Sequence, residues 1–335
     1  LRVLGTAGLP VTFTSIRDDS IGGDSNGDGG ATTPFWDNWR GIEFRDSSSD
    51  TTSLIDHAMI HYAGRDYRGN ITLTSASPTI NNTTLSKGYI SIRANLRSLP
   101  VLQNNLYEEN FYNALAYDSG TITVDTVWST TDTSIVILGT VYVGTGKLLT
   151  IQPGVVVKFD PGQILYVDGA LHVSGISGSP VTFTSIRDDA IGGDTNGNGG
   201  ATTPNWDNWQ GIEFRTASND SASSIDHAVV RYAGWNFRAG ITLLDSSVSI
   251  SNTTVTNSWY GLYIDTSTPT LTCNNFYNNN GYGLFNNTPT APVNATNHWW
   301  GVASGPFHTS LNPGGAGNAV SNGVIFDPWR NSACN

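Results

Sequence analysis

The chain repeats itself at two nested distances, and the shorter one most narrows what it can fold into. Pro78 and Pro100, Asn82 and Asn104, and Tyr89 and Phe111 each stand 22 residues apart. Asn252 and Asn274, Tyr260 and Tyr282, and Gly261 and Gly283 keep the same distance. Between these marks lie short alternating runs such as Ile71-Thr72-Leu73, Ile90-Ser91-Ile92 and Ile241-Thr242-Leu243. Such a period is too short for two parallel strands joined by a crossover helix. It suits one turn of a β-solenoid, in which coils stack and like residues fall into columns. Asn and Gly fit its corners, because both tolerate the left-handed backbone of a sharp turn. Asn can also hydrogen-bond to the Asn above and below it. Dividing 335 residues by 22 predicts about 15 coils, a rod roughly 70 Å long at the ~4.8 Å strand spacing.

The longer distance is 170 residues. Residues 10–64 and 180–234 align without a gap, and 14 of the 55 positions differ. The copies diverge quickly after residue 64, which suggests a local constraint on the matching segment. Two halves follow, 1–170 and 171–335, joined in one continuous solenoid.

Composition supports strands and excludes several classes. Thr, Val, Ile, Tyr, Asn and Gly dominate, a strand-and-turn vocabulary rather than a helical one. Only 13% of residues are charged, and the net charge is −11. An acidic chain with three lysines, Lys87, Lys147 and Lys158, lacks the basic clusters that nucleic-acid binding needs. No apolar run approaches the ~18 residues of a membrane span. With 38% hydrophobic residues and 10 Trp, the chain can build a core. It starts at Leu1 without a Met, which fits a processed secreted chain or a fragment.

Three phrases resemble the secreted right-handed parallel β-helix repeat proteins of bacterial and archaeal surfaces. They are the segments beginning Pro10-Val11-Thr12-Phe13 and Pro180-Val181-Thr182-Phe183, the run 148–175, and the ending 297–329. The resemblance implies an all-β fold, a single-stranded right-handed parallel β-helix, and an extracellular, cell-surface address. It implies no activity, because this fold hosts lyases, glycosidases, adhesins and filaments alike.

Two long Asp/Asn/Gly-rich loops interrupt the strands. Asp24, Asn26 and Asp28 with Gly29 have the spacing D-x-N-x-D-G, which wraps oxygens around a Ca²⁺ ion. The second copy has Asp194, Asn196, Asn198 and Gly199, with a neutral amide in place of the last carboxylate. Asn198 predicts weaker binding there. The twelfth positions are Phe35 and Asn205, so neither loop is an EF-hand. Asp18, Asp19 and Asp37 in the first copy, and Asp188, Asp189 and Asp207 in the second, are the further ligand candidates. The alternative is a turn held by Asx hydrogen bonds alone.

Paired carboxylates also raise glycosidase chemistry. However, the Gly-His-Gly and Arg-Ile-Lys phrases that accompany such pairs in β-helix polygalacturonases are absent. Arg17, Arg45, Arg187 and Arg215 are candidate bases for a lyase, but Arg beside Asp reads first as an ion pair. His57 and His227, in the matching phrases Ile-Asp-His-Ala, are expected at coil corners beside Asp56 and Asp226. No catalytic residue is assigned. Trp36, Trp39, Trp206 and Trp209 are candidate contacts for a glycan, and so is the pair Trp299/Trp300; the alternative is that they cover the stack.

The ends bear on assembly. Leu1–Gly5 matches Leu171–Gly175, so the first coil should offer an open strand edge. Head-to-tail self-association into a filament follows as an expectation. Cys273 and Cys334 would tie the tail to a coil in an oxidising compartment, or remain buried thiols. Asn-X-Ser/Thr triplets occur at Asn70, Asn81, Asn82, Asn219, Asn252, Asn286 and Asn294. Together these features predict an extracellular structural or adhesive β-helix, stabilised by calcium. A polysaccharide-binding or polysaccharide-degrading β-helix is the alternative.

Overall fold

The computed structural model describes residues 1–36, 38–206 and 208–334. It is all-β: parallel sheets stacked as a β-solenoid of about 10 coils with about 24-residue spacing. Among the described residues the helical segments are three 3-10 turns, Arg65–Tyr67, Asp220–Ala222 and Trp235–Phe237. Among the described residues no helix is long and apolar enough to cross a membrane. The coils are fewer than division by 22 predicts, for two reasons. Each long loop leaves the coil path, so that Val3 pairs with Ile55 and Leu165 with Ile212 in adjacent coils. The last forty residues add only the short strands Ala319–Val320 and Val324–Ile325.

The chain forms two compact units. The first comprises Leu1–Ser119, Thr130–Val136 and Arg187–Thr202. Its coils have three sides. One side stacks Arg2–Leu4, Leu54–Asp56, Thr79–Asn81 and Val101–Gln103. The second stacks Val11–Phe13, Ala58–His61, Thr84–Ser86 and Leu106–Glu108. The third stacks Ile42–Arg45, Gly69–Thr74, Ile90–Ala94 and Tyr112–Tyr117. Parallel register puts like residues in columns, such as Ile42, Ile71 and Ile92. Ile55, Ile60, Ile71, Ile80, Leu85 and Ile92 are fully buried. Alternation along each strand therefore sends one set of side chains into the coil and the other outward.

The second unit comprises Gly120–Ser129, Ile137–Ile186 and Thr203–Asn335. Its longest side runs through Gly120–Ile122, Val141–Val143, Ile164–Val167, Gly211–Phe214, Ala239–Leu244, Tyr260–Asp265 and Tyr282–Asn286. Another stacks Thr126–Trp128, Leu148–Ile151, Ala170–Ser174, Ser224–Asp226, Ser249–Ser251 and Thr270–Thr272. Aromatic rings join the aliphatic columns here: Phe159, Phe183, Phe214 and Phe276 are fully buried.

Corners follow one rule in both units. A residue with positive φ makes the turn: His57, Asn82 and Asn104 in one column, His227, Asn252 and Cys273 in its counterpart. Asn thus occupies the corners as its αL tolerance predicts, but shares them with His and Cys. The buried hydrogen bonds lie one residue further on. There a polar side chain accepts the backbone N–H of its counterpart in the preceding coil. Ala58 N donates to Thr83 Oγ1 at 3.3 Å, and Thr83 N to Asn105 Oδ1 at 3.0 Å. Ala228 N donates to Thr253 Oγ1, Thr253 N to Asn274 Oδ1, and Asn274 N to His298 Nδ1. A second corner repeats the pattern: Ala233 N to Ser258 Oγ, Ser258 N to Asn279 Oδ1, Asn279 N to Asn318 Oδ1. These bonds satisfy donors that the strand ladders miss at the bends.

Candidate functional site

The first loop gathers three carboxylates. Asp19, Asp24 and Asp28 each bring an oxygen within 4.8 Å of the others. Local hydrogen bonds set two of them. Asp24 accepts the N–H groups of Asp28 and Gly29 at 3.1 and 2.8 Å. Asp28 accepts those of Gly30, Ala31 and Thr32, together with Asn26 Nδ2. The Thr32 hydroxyl and these N–H groups hold the Asp28 carboxyl below its ordinary range. Asp19 differs. Its Oδ1 is buried without a hydrogen-bond partner. Desolvation, then repulsion from Asp24, Asp28 and Asp18, pushes its carboxyl up.

This arrangement fits a hard divalent cation. Ca²⁺ takes oxygen ligands in a flexible shell. Each Asp24 oxygen accepts one N–H and keeps a second lone pair, and Asp19 Oδ1 has none engaged. Asp28, whose two oxygens accept five donors, would exchange some of them for the ion. Asp19, Asp24 and Asp28 are the side chains that would hold it, and the charge would offset their mutual repulsion. Asp18 is not among them. Its buried carboxylate accepts the Thr14 and Ser20 hydroxyls. Burial alone would raise it, but those hydroxyls hold it below its ordinary range. Asn26 Oδ1 accepts the Asp28 N–H at 3.2 Å. Asp37 and Asp207 lie outside the described residues.

In the second loop Asp194 again accepts the N–H groups at the fifth and sixth positions, Asn198 and Gly199. Asn198 Nδ2 donates to Thr202 Oγ1, and Asn196 Oδ1 is buried without a partner. Asp188 is buried, and Asp189 has a buried oxygen. Among the described residues only the first loop brings three acidic groups together. The tip of the second loop packs within the first unit: Asn113 N donates to Thr195 O at 2.8 Å. Gly197, at φ 60, approaches so closely that a Cβ would meet Asn110 O at 2.2 Å. Nothing local in the sequence announces a contact between residues some eighty positions apart.

Exposed aromatic rows are the second feature. In the first unit Trp36 lies 5.2 Å from Tyr89, and Tyr89 stacks on Phe111 at 5.2 Å and 14°. Phe35 and Phe111 are each 55% exposed. They line a groove of about 330 Å³ with Trp36, Tyr62, Lys87 and Glu109. In the second unit Trp206 lies 4.6 Å from Trp259, which meets Phe237 edge-on at 5.0 Å. Phe237 is 69% exposed.

The four Trp expected to face a glycan divide. Trp36 and Trp206 join these rows. Trp39 is half-buried and donates its indole N–H to His61 O. Trp209 is a core residue: fully buried, stacked on Phe159 at 4.1 Å, its N–H bonded to Arg231 O. Trp300 is buried as well. Neither Trp209 nor Trp300 has a face free for a sugar. Phe111, Phe237 and Tyr260, absent from the glycan candidates above, supply more of the rows; the 22-residue spacings of Tyr89 with Phe111 and of Tyr260 with Tyr282 signal two of them, and Phe237 has no such mark.

The remaining candidates are structural. His57 Nδ1 lies 3.0 Å from Asp56, and His227 Nδ1 3.1 Å from Asp226, each at its αL corner. Arg45 pairs with Glu43, and Arg215 pairs with Asp168 while lying over the Tyr166 ring. Asn70 and Asn286 are buried, which closes those two triplets to modification. Cys273 and Cys334 form a disulfide across 61 residues. Asn275 clamps the same tail by exchanging hydrogen bonds with Cys334 N and O. Comparison with known proteins found no matching family model, no matching curated protein and no matching solved structure.

Proposed function

We propose that the chain is an extracellular structural or adhesive β-solenoid that holds polysaccharide on exposed aromatic rows and is stabilised by Ca²⁺. The observation that supports this most is the pair of rows themselves. Soluble proteins seldom leave large rings exposed in stacks without a partner for them. Sugar rings offer flat C–H faces to such stacks, and neighbouring Asn, Ser and Thr provide hydrogen-bond partners for hydroxyls. Low charge suits the same task, since stacking and neutral hydrogen bonds resist salt. The disulfide supports an oxidising compartment. The carboxylate trio supports a cation that locks the first loop, whose Phe35 and Trp36 begin one row.

Co-sedimentation with a panel of insoluble polysaccharides tests the adhesive reading. We expect binding to at least one polymer that survives 1 M salt and weakens at least tenfold in a Phe111→Ala, Phe237→Ala double variant. Absence of binding across the panel, or binding unaffected by the double variant, overturns it.

A further inference from the structure

We infer that the second unit contains a binding pocket for an uncharged sugar at the end of its aromatic row, a reading that rests on the polysaccharide role proposed above. The row continues beyond Trp259. Tyr260 lies 5.8 Å from Tyr282 and 5.5 Å from Phe285, and Tyr263 stacks on Phe285 at 5.6 Å and 12°. Tyr263 and Phe285 are register partners in adjacent coils, so they share an outward column. In the next coil Leu284 pairs with Val320, which places Ser321 after Phe285 in that column. The drop from a ring to a hydroxymethyl group opens a hollow. Its volume is about 360 Å³, within the roughly 300–1,000 Å³ of small-molecule sites.

Three rings form the apolar wall: Tyr282, Phe285 and the 39%-exposed Phe307. The polar lining includes Asn287, Thr309 and Asn322, which are exposed and whose side chains make no hydrogen bond among the described residues. Other polar groups there are already engaged: Asn286 Nδ2 donates to Ala291 O and Gly323 O, and its Oδ1 accepts Thr288 N. Rings for C–H faces beside free amides and a free hydroxyl are the chemistry of a pyranose site.

Charge selects among sugars. No Lys, Arg, Asp or Glu lines the hollow, and the chain as a whole carries −11. The lining's one imidazole, the buried His308, accepts the N–H groups of Ser310 and Leu311 at Nδ1 and so stands as a neutral ring. A uronic-acid residue would find no counter-charge and would meet a repulsive field. A neutral hexose loses nothing in either respect. The first unit's groove differs on this point, because Lys87 and Glu109 line it.

Calorimetric titration with neutral and uronic-acid oligosaccharides tests the pocket. Variants Phe307→Ala and Tyr282→Phe alter the hollow, and Phe111→Ala alters the other unit; a melting curve for each confirms folding. The expected result is binding of a neutral oligosaccharide that falls at least tenfold in Phe307→Ala, at least threefold in Tyr282→Phe, and not in Phe111→Ala. Neutral binding lost only in Phe111→Ala overturns the pocket while leaving the broader polysaccharide role standing. Preference for uronic-acid ligands that is sensitive to Phe307→Ala overturns the charge argument and with it the proposal. Absence of any binding overturns both.

Discussion

At the scale of single residues, the position after each αL corner is the most constrained in the coil. Thr253 is fully buried and accepts the Ala228 N–H. Thr253→Val keeps the volume but strands that donor, which costs about 1–3 kcal/mol; denaturant unfolding should show the loss, and a change within error would refute the ladder as a source of stability. His298 fills the same role as the last acceptor above Asn274. Burial pushes its imidazole down to about 4. The sign follows from the unfolded chain, which takes up this proton near pH 6.5 while the folded chain refuses it until about pH 4. Stability is therefore level above pH 6.5 and falls as pH drops through that window, by about 3 kcal/mol. His298→Asn keeps an acceptor and removes the titration, so its melting temperature should vary less between pH 6.5 and 4; superimposable profiles would count against this role. The corner Asn were legible, since αL tolerance is a property of the residue itself. The bonding position one step later was not, because its partner exists only once coils have stacked.

Elements tell a similar story. The two long loops were visible as loops from Gly, Asn and Asp density, and their D-x-N-x-D-G spacing did bring carboxylates together in the first. Adjacent residues were harder to rank: Asp18 turns to Thr14 and Ser20, Asp19 toward the trio. If Ca²⁺ fills that trio, millimolar calcium should raise the melting temperature by several degrees over chelator, since a hundredfold excess over Kd is worth about 2.7 kcal/mol. Asp28→Asn copies the second loop and should remove most of that shift. An equal shift in the variant would place the ion elsewhere. The tail offers a second element-scale prediction. Closing a loop across 61 residues stabilises by about 4 kcal/mol on chain-entropy grounds. Cys273→Ser with Cys334→Ser should lower stability by that order, while the Asn275 clamp limits fraying of the tail.

For the whole molecule, the period of 22 identified the solenoid correctly because every coil repeats the same stacking problem. Tyr89 above Phe111 and Tyr260 above Tyr282 were read as a spacing and are ring contacts in the structure. The number of coils was overestimated because length was divided as if every residue lay on the coil path. Residues in the long loops and in the last forty positions do not. Nor could periodicity say that Arg187–Thr202 belongs to the first compact unit, because a repeat describes neighbours and not distant docking.

The corner ladder also gives the solenoid an arrow. At every corner traced above, the earlier coil donates its N–H and the later coil supplies the accepting side chain. A ribosome releases the earlier coil first, so each half-finished coil waits with open donors until its successor arrives to close them. Folding during synthesis would then proceed like a zip with one permitted direction, and His298 and Asn318 would act as its stop. Shortening such a chain by a coil is correspondingly unequal. At the corners, loss of the final coil leaves buried donors bare, whereas loss of an opening coil leaves spare acceptors, which proteins tolerate better; the strand ladders lose donors either way, since Leu54 N donates back to Leu1 O. Melting temperatures of chains trimmed by one coil from either side should differ accordingly, with the final-coil deletion the less stable of the two.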